Sequence, residues 1–261
     1  MSKESEILRY QEQTEEKERS LREGKKVGRY PQKDDGRGSL LHIQRLINCF
    51  PDVINAELKK GLEFSMGETI SWVSPLKTDD HAEYRDQDFI DRITSTKLNV
   101  PLHQFWPRYG PQWDALGRTN RGKIFLVEAK ANIPEIFSPP SGAKSEASVS
   151  LIRGSLDETK RYLDSKSSAE WTTLFYQYCN CLAHLYFLRV KNELNAYLLF
   201  VYFVGDSTVE GPKSKEEWLG ALKILKLVLG IDKQHKLSPY IIDVFVDVSN
   251  PQHKGLWVWS R

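Results

Sequence analysis

One short stretch dictates that a sheet must be built around it. Residues 123–131 contain Ile124, Phe125, Leu126 and Val127 in a row, followed by Glu128, Ala129 and Lys130. An apolar run this short, dominated by β-formers, reads as a buried strand. Side chains alternate along a strand, so Glu128 and Lys130 point to one face and Ala129 to the other. Upstream, Asp114 is followed by Leu116, Gly117 and the polar residues 118–122, which end in Gly and read as a hairpin turn. Such a hairpin brings Asp114 back beside Glu128. Two carboxylates and one ammonium then gather at one end of the sheet.

That trio suits phosphodiester chemistry. Mg²⁺ takes hard oxygen ligands in octahedral geometry and keeps several waters, so two carboxylates suffice to hold it. A cation there lowers the pKa of water and neutralises charge in the transition state. A lysine one pleat away can orient the attacking water or stabilise that charge. A lone E-x-K pair is, in an arbitrary protein, usually a solvated ion pair. The apolar strand and the preceding Asp114 are what raise this one above that.

The same residues carry a likeness. Asp114 followed by Glu128-Ala129-Lys130 on an apolar strand resembles the PD-(D/E)XK nuclease superfamily. The wording GPQWDALG and FLVEAKANIPE, with WTTLFYQYCNCLAHLYFL and FVYFVGD further on, is similar to a family of bacterial proteins of unknown function assigned to that superfamily, over roughly residues 40–250. Where the superfamily usually has Pro before the first Asp, this chain has Trp113, with Pro111 two residues earlier. The resemblance implies a restriction-endonuclease-like fold. It implies Mg²⁺ (or Mn²⁺) held by Asp114 and Glu128, with Lys130 positioning water, and nucleic acid, DNA before RNA, as substrate. Many members add a glutamate from the first helix to the metal site, which makes Glu57 or Glu63 the candidate here. Some exonuclease members place a Gln-Tyr helix after the E-x-K strand. Gln177 with Tyr176 or Tyr178 is similar in kind, at a different spacing. Restriction endonucleases often dimerise, so a homodimer is also an expectation.

Composition narrows the setting. The chain is 40% hydrophobic and 28% charged, as globular proteins are. Its net charge of +2 argues against a histone-like binder and leaves room for a local basic channel. Cys49, Cys179 and Cys181 show no zinc spacing and no disulfide framework. No apolar run approaches a membrane span, and the N-terminal residues lack the apolar core of a secretory signal. The expectation is a cytoplasmic protein without a membrane segment.

Residues 1–38 are rich in Glu, Lys, Arg and Gln and read as a charged arm, partly helical or flexible, ahead of one nuclease-like domain over 39–261. Ser39 is the expected cap of a helix over 40–49, and Gly61 the stop of a second over 52–61. Residues 69–73 read as a strand. Residues 81–93 read as one amphipathic helix with its acids in water. Residues 101–112 form a loop whose Trp106, Arg108 and Tyr109 either contact a nucleic-acid strand or pack over the sheet. A Ser/Pro/Gly-rich segment, 138–148, reads as a mobile loop over the cleft. In the helix over 149–163, Lys160 and Arg161 are exposed basic candidates for phosphate. A long apolar helix over 171–190 puts Gln177, Asn180 and His184 on one face, either toward the site or as core hydrogen-bonding groups, the latter favoured for His184. Residues 194–205 and 240–248 read as strands around a helix capped by Ser214 and stopped by Gly230.

These readings combine into one α/β domain, a restriction-endonuclease-like central mixed sheet flanked by helices. The leading expectation is a metal-dependent nuclease with Asp114, Glu128, Lys130 and Gln177 at its centre and Glu57 as a further metal ligand. The alternative is a catalytically inactive nucleic-acid-binding or protein-interaction module on the same fold. A hydrolase of small phosphorylated substrates ranks third, because no Gly-rich phosphate loop is present.

Overall fold

The computed structural model describes residues 28–34 and 36–249 and the backbone of 257–259. In chain order its elements are β1 (Arg29–Tyr30), α1 (Gly38–Cys49), α2 (Pro51–Gly61), β2 (Ile70–Ser74), β3 (Glu83–Tyr84), α3 (Asp86–Ile93) and α4 (Leu102–Phe105). Then follow β4 (Ala115–Thr119), β5 (Ile124–Lys130), α5 (Glu146–Tyr162), α6 (Tyr176–Tyr186), β6 (Ala196–Val204), α7 (Lys215–Val228), β7 (Ile241–Asp247) and β8 (Trp257–Trp259).

The main sheet has the order β2-β4-β5-β6-β7, with β8 paired antiparallel at the β7 edge. Strands β2, β4 and β5 are joined antiparallel, whereas β5, β6 and β7 run parallel. The mixed character follows from the connections. A tight turn links β4 to β5, while helices return the chain from β5 to β6 and from β6 to β7. The apolar runs in β5 and β6 are buried on both faces, as central strands of such a sheet must be.

Alternation along the strands sorts two cores. Val127, Ala129, Leu199, Val201 and Val244 face α1 and α2, whose Ile43, Leu46, Ile54 and Leu58 complete one cluster. Leu126, Leu198, Phe200, Tyr202 and Phe245 face the other way, against α3, α5, α6 and α7. Glu128 and Lys130 share that second face, as the period of two requires. Between β2 and β4 the sheet needs Gly117: a Cβ there would lie 2.9 Å from the Trp72 ring. Among the described residues no helix is long and apolar enough to cross a membrane.

Several expectations are corrected. Helix α1 begins at Gly38 after Arg37, not with Ser39 as a side-chain cap. Gly38 has a positive φ of 62° and packs against Val209 and Ala131, so tertiary contact sets that boundary. Residues 81–93 are not one helix. Glu83 and Tyr84 pair with Tyr30 and Arg29 as a ribbon, and only then does α3 start. The Asp86 carboxylate does not simply face water; it accepts the backbone N–H groups of Tyr109 and Gly110 at 3.1 and 2.9 Å. The 171–190 helix is shorter at its start, because Phe175 takes a left-handed conformation and α6 begins after it. Its end widens into a π turn over Phe187–Lys191. Segment 138–148 is pinned: Ser138 accepts from Gln177 N–H, Ser141 N–H donates to Thr172 O, and Ser145 caps α5. Within the stretch expected as a charged arm, Arg29 and Tyr30 form β1 and pair with β3; residues 1–27 lie outside the described residues.

Candidate active site

The β4–β5 hairpin assembles the core of the site. Thr119 closes its turn, with its N–H on Lys123 O at 2.8 Å and its hydroxyl accepting from Lys123 N–H at 3.1 Å. The register that follows sets Ala115 against Val127. Asp114 then lies level with the end of β5, and its Oδ2 accepts the Ala129 N–H at 2.6 Å. Trp113 fixes this residue from behind. It is fully buried, donates its backbone N–H to Tyr84 O at 3.0 Å, and meets Phe89 and His184 edge to face. A proline at 113 would lack that N–H.

On β5, Lys130 Nζ contacts Glu128 Oε1 at 2.5 Å. Helix α6 brings Gln177 across the pair: its Oε1 accepts from Lys130 at 2.9 Å and its Nε2 donates to Glu128 Oε1 at 2.6 Å. Gln177 stands in the first turn of α6. The Cys181 thiol, one turn on, approaches Glu128 Oε2 at 3.8 Å. Its pKa is well above normal, because burial and the Glu128 charge both oppose a thiolate.

A residue missed in the sequence completes the group. Glu83 is buried on the short β3 strand and accepts from the side-chain amides of Gln32 at 2.8 Å and Gln112 at 2.5 Å. Burial pushes its carboxyl up to about 7, offset in part by those two amides and increased by the Glu128 charge. Asp114 lies well above its ordinary range through burial first and then repulsion from Glu128 and Glu83. Burial alone would lower Lys130, but the charges of Glu128 and Asp114 outweigh it and raise its pKa. Asp114 and Glu83 thus both feel the Glu128 charge, while Lys130 is stabilised by Glu128 and Asp114.

That imbalance is the test of fit for a divalent cation. Buried carboxylates without compensating charge must either bind protons or take a cation. Glu128 is 1% exposed, and Asp114 is intermediate as a residue although its carboxyl is desolvated. Among the described residues no group of three or more His, Cys, Asp or Glu side chains is placed to hold a metal ion. Mg²⁺ needs only one or two carboxylates and keeps its waters, so Asp114 and Glu128 fit it.

No family model, curated protein or solved structure matches this chain. What the site can do is therefore read from its own geometry.

The remaining candidates lie elsewhere or act otherwise. Glu57 is not brought to the site. It sits on α2, on the layer covering the opposite face of the sheet, bound to Lys60 at 2.5 Å. It lines a cavity of about 350 Å³ with Ile241 and Asp243 of β7. Glu63 is exposed and borders a depression near Lys123, at the beginning of β5. Asn180 is buried one turn from Gln177, and its Oδ1 has no protein partner among the described residues. His184 belongs to the core. Its Nδ1 bonds Asn180 O at 2.8 Å, its ring lies among Phe89, Trp106 and Trp113, and burial lowers its pKa to about 4. Trp106 is buried, so of the loop aromatics only Tyr109 reaches solvent. Lys160 is half-buried and donates to Ala169 O at 3.0 Å, whereas Arg161 is exposed.

Proposed function

We propose that this protein is a metal-dependent phosphodiesterase acting on nucleic acid, built on a restriction-endonuclease-like variant of the α/β sheet and related to the PD-(D/E)XK nucleases. The observation that carries the reading is the hairpin register. It sets Asp114 against the Ala129 N–H, between Glu128 and Lys130 on the strand that those two share. Asp114 and Glu128 would hold Mg²⁺ or Mn²⁺. The cation, when bound, supplies charge neutralisation for the phosphoryl oxygens and activation of water. Lys130 holds its ammonium beside Glu128 and is held there by Gln177, so its charge is fixed toward the reacting phosphate. Gln177 positions both partners of that pair. Asp114 is held in place by accepting the Ala129 N–H with Oδ2.

The decisive experiment offers single- and double-stranded DNA and RNA to the full chain with Mg²⁺, Mn²⁺ or EDTA. Cutting that depends on metal and drops by at least about 100-fold in both Glu128→Ala and Lys130→Ala supports the reading. Cutting that survives both substitutions sinks it.

One observation favours the catalytically inactive alternative: Glu128, Lys130 and Gln177 satisfy one another's hydrogen bonds without any ligand. Mn²⁺ titration by calorimetry separates the two. A silent module gives no heat that is lost in Glu128→Ala.

A further inference from the structure

A second feature stands on the same ribbon as Glu83. Tyr30 is the Cα partner of Glu83 across the β1–β3 ribbon, and Arg85 lies two residues beyond Glu83. Directly opposed residues and residues two apart share one side of such a ribbon. Gln32 obeys the same rule and reaches Glu83 from that side. Tyr30, Arg85 and Glu83 are therefore neighbours on the side that carries the site.

Arg85 is held between two rings. Its guanidinium lies 4.2 Å from the centroid of Tyr30 and 4.7 Å from that of Tyr109. The nearest carboxylate, on Asp86, is 3.9 Å from Nε, and Nε has no hydrogen-bond partner among the described residues. The outer ring is the conspicuous one. Tyr109 is 70% exposed, yet its backbone is held at a φ of 68°, a left-handed conformation that costs a tyrosine free energy. The Asp86 carboxylate enforces it by accepting the N–H groups of both Tyr109 and Gly110. A strained backbone, clamped by a carboxylate, presents a flat ring to solvent with a guanidinium and a second ring behind it. Gln112, two residues past Gly110, returns the loop to Glu83.

We propose that Tyr109, backed by Arg85 and Tyr30, is a stacking platform for an unpaired nucleobase beside the carboxylates, and that it directs the site to single-stranded nucleic acid. The inference rests on the phosphodiesterase reading for its biological sense, but its chemistry is separate. Every base has a π face, so stacking holds a strand without reading its sequence, and the cation behind the ring strengthens the contact. A paired base inside a duplex offers no free face to Tyr109. The neighbouring guanidinium supplies a positive field for the strand's phosphates.

The test is anisotropy of a fluorescein-labelled single-stranded oligonucleotide, DNA in one arm and RNA in another, titrated with the full chain in EDTA. A blunt duplex of the same sequence serves as comparison. Tyr109→Ala should weaken single-strand binding about 10-fold, the loss of one stacked base. Tyr109→Phe should stay within about twofold, because the ring remains. Tyr109→Gly accepts the positive φ without strain, so it loses the ring while keeping the loop conformation and should match Tyr109→Ala. Equal binding by wild type and the Ala and Gly variants overturns the platform. So does tighter binding of the duplex, or no binding of single strands at all. Hydrolysis of bis(4-nitrophenyl) phosphate with Mn²⁺ by the wild type is read separately. It reports on the carboxylate site without a nucleobase, so either reading can fail while the other stands.

Discussion

His184 shows how one buried side chain ties stability to pH. In the unfolded chain its imidazole takes a proton near the ordinary value of about 6.5. In the folded protein burial among three aromatic rings delays protonation to about 4. Between those values the unfolded chain binds the extra proton, so stability falls as pH drops from about 6.5 to 4. The full window amounts to about 3 kcal/mol. Because Glu83 and Asp114 act with the opposite sign in the same range, the check is a difference: from pH 7 to pH 4.5 the wild type should fare worse in urea denaturation than His184→Met. An equal change in both would mean that His184 carries none of it. At this scale the sequence was legible where one residue's neighbours are local. Gln177, Asn180 and His184 fall on one helical face because they are spaced at helical intervals. Their fates differ by what lies opposite each one: Glu128 and Lys130 across from Gln177, and Trp113 across from His184. No local pattern shows that.

The elements divide in the same way. The hairpin of β4 and β5, the strand β6 and the helix α7 with its Ser214 cap were readable because each carries its own period, turn or cap. The β1–β3 ribbon was not. Two-residue strands have no period, and Tyr30 finds Glu83 from far along the chain. Glu83 was hidden further because Asp86, Asp88, Phe89 and Ile90 open a true amphipathic helix, and that pattern extends backward on paper over residues that are extended in space. Sequence order points to Glu57 because its helix precedes the strand of Glu128, but α2 covers the other face of the sheet, which sequence order cannot tell. Gly117 offers a direct check on the sheet. Gly117→Val would drive a branched side chain into the Trp72 ring at the β2–β4 contact. The expected cost is about 1–3 kcal/mol, read as a lower urea midpoint at unchanged m-value. A neutral substitution would mean that β2 is free to move away from β4.

For the whole molecule, the clustered acids couple proton and cation binding. Glu83, pushed up to about 7, and Asp114, raised further, bind protons in the folded state that the unfolded chain releases near pH 4.5. Their contribution is therefore lost as pH rises through about 4.5 to 7 and beyond, and the metal-free protein should soften in that range. A divalent cation on the same oxygens must displace those protons. Mn²⁺ affinity should then rise from pH 6 to pH 8, by up to about tenfold per pH unit for each proton displaced. Calorimetry in two buffers of different ionisation enthalpy would count the protons, and an affinity independent of pH would contradict the coupling. The connectivity of the sheet also orders events in time. The hairpin carrying Asp114, Glu128 and Lys130 closes across the short turn after Thr119, a contact that chains of this kind can make in microseconds. The pairing of β5 with β6 joins Ile124 to Ala196, and that of β6 with β7 joins Leu198 to Ile241, both of which must wait for long loops to close. A nascent chain thus brings Asp114 and Glu128 together while both are still in water, and the walls that raise the Asp114 pKa arrive last.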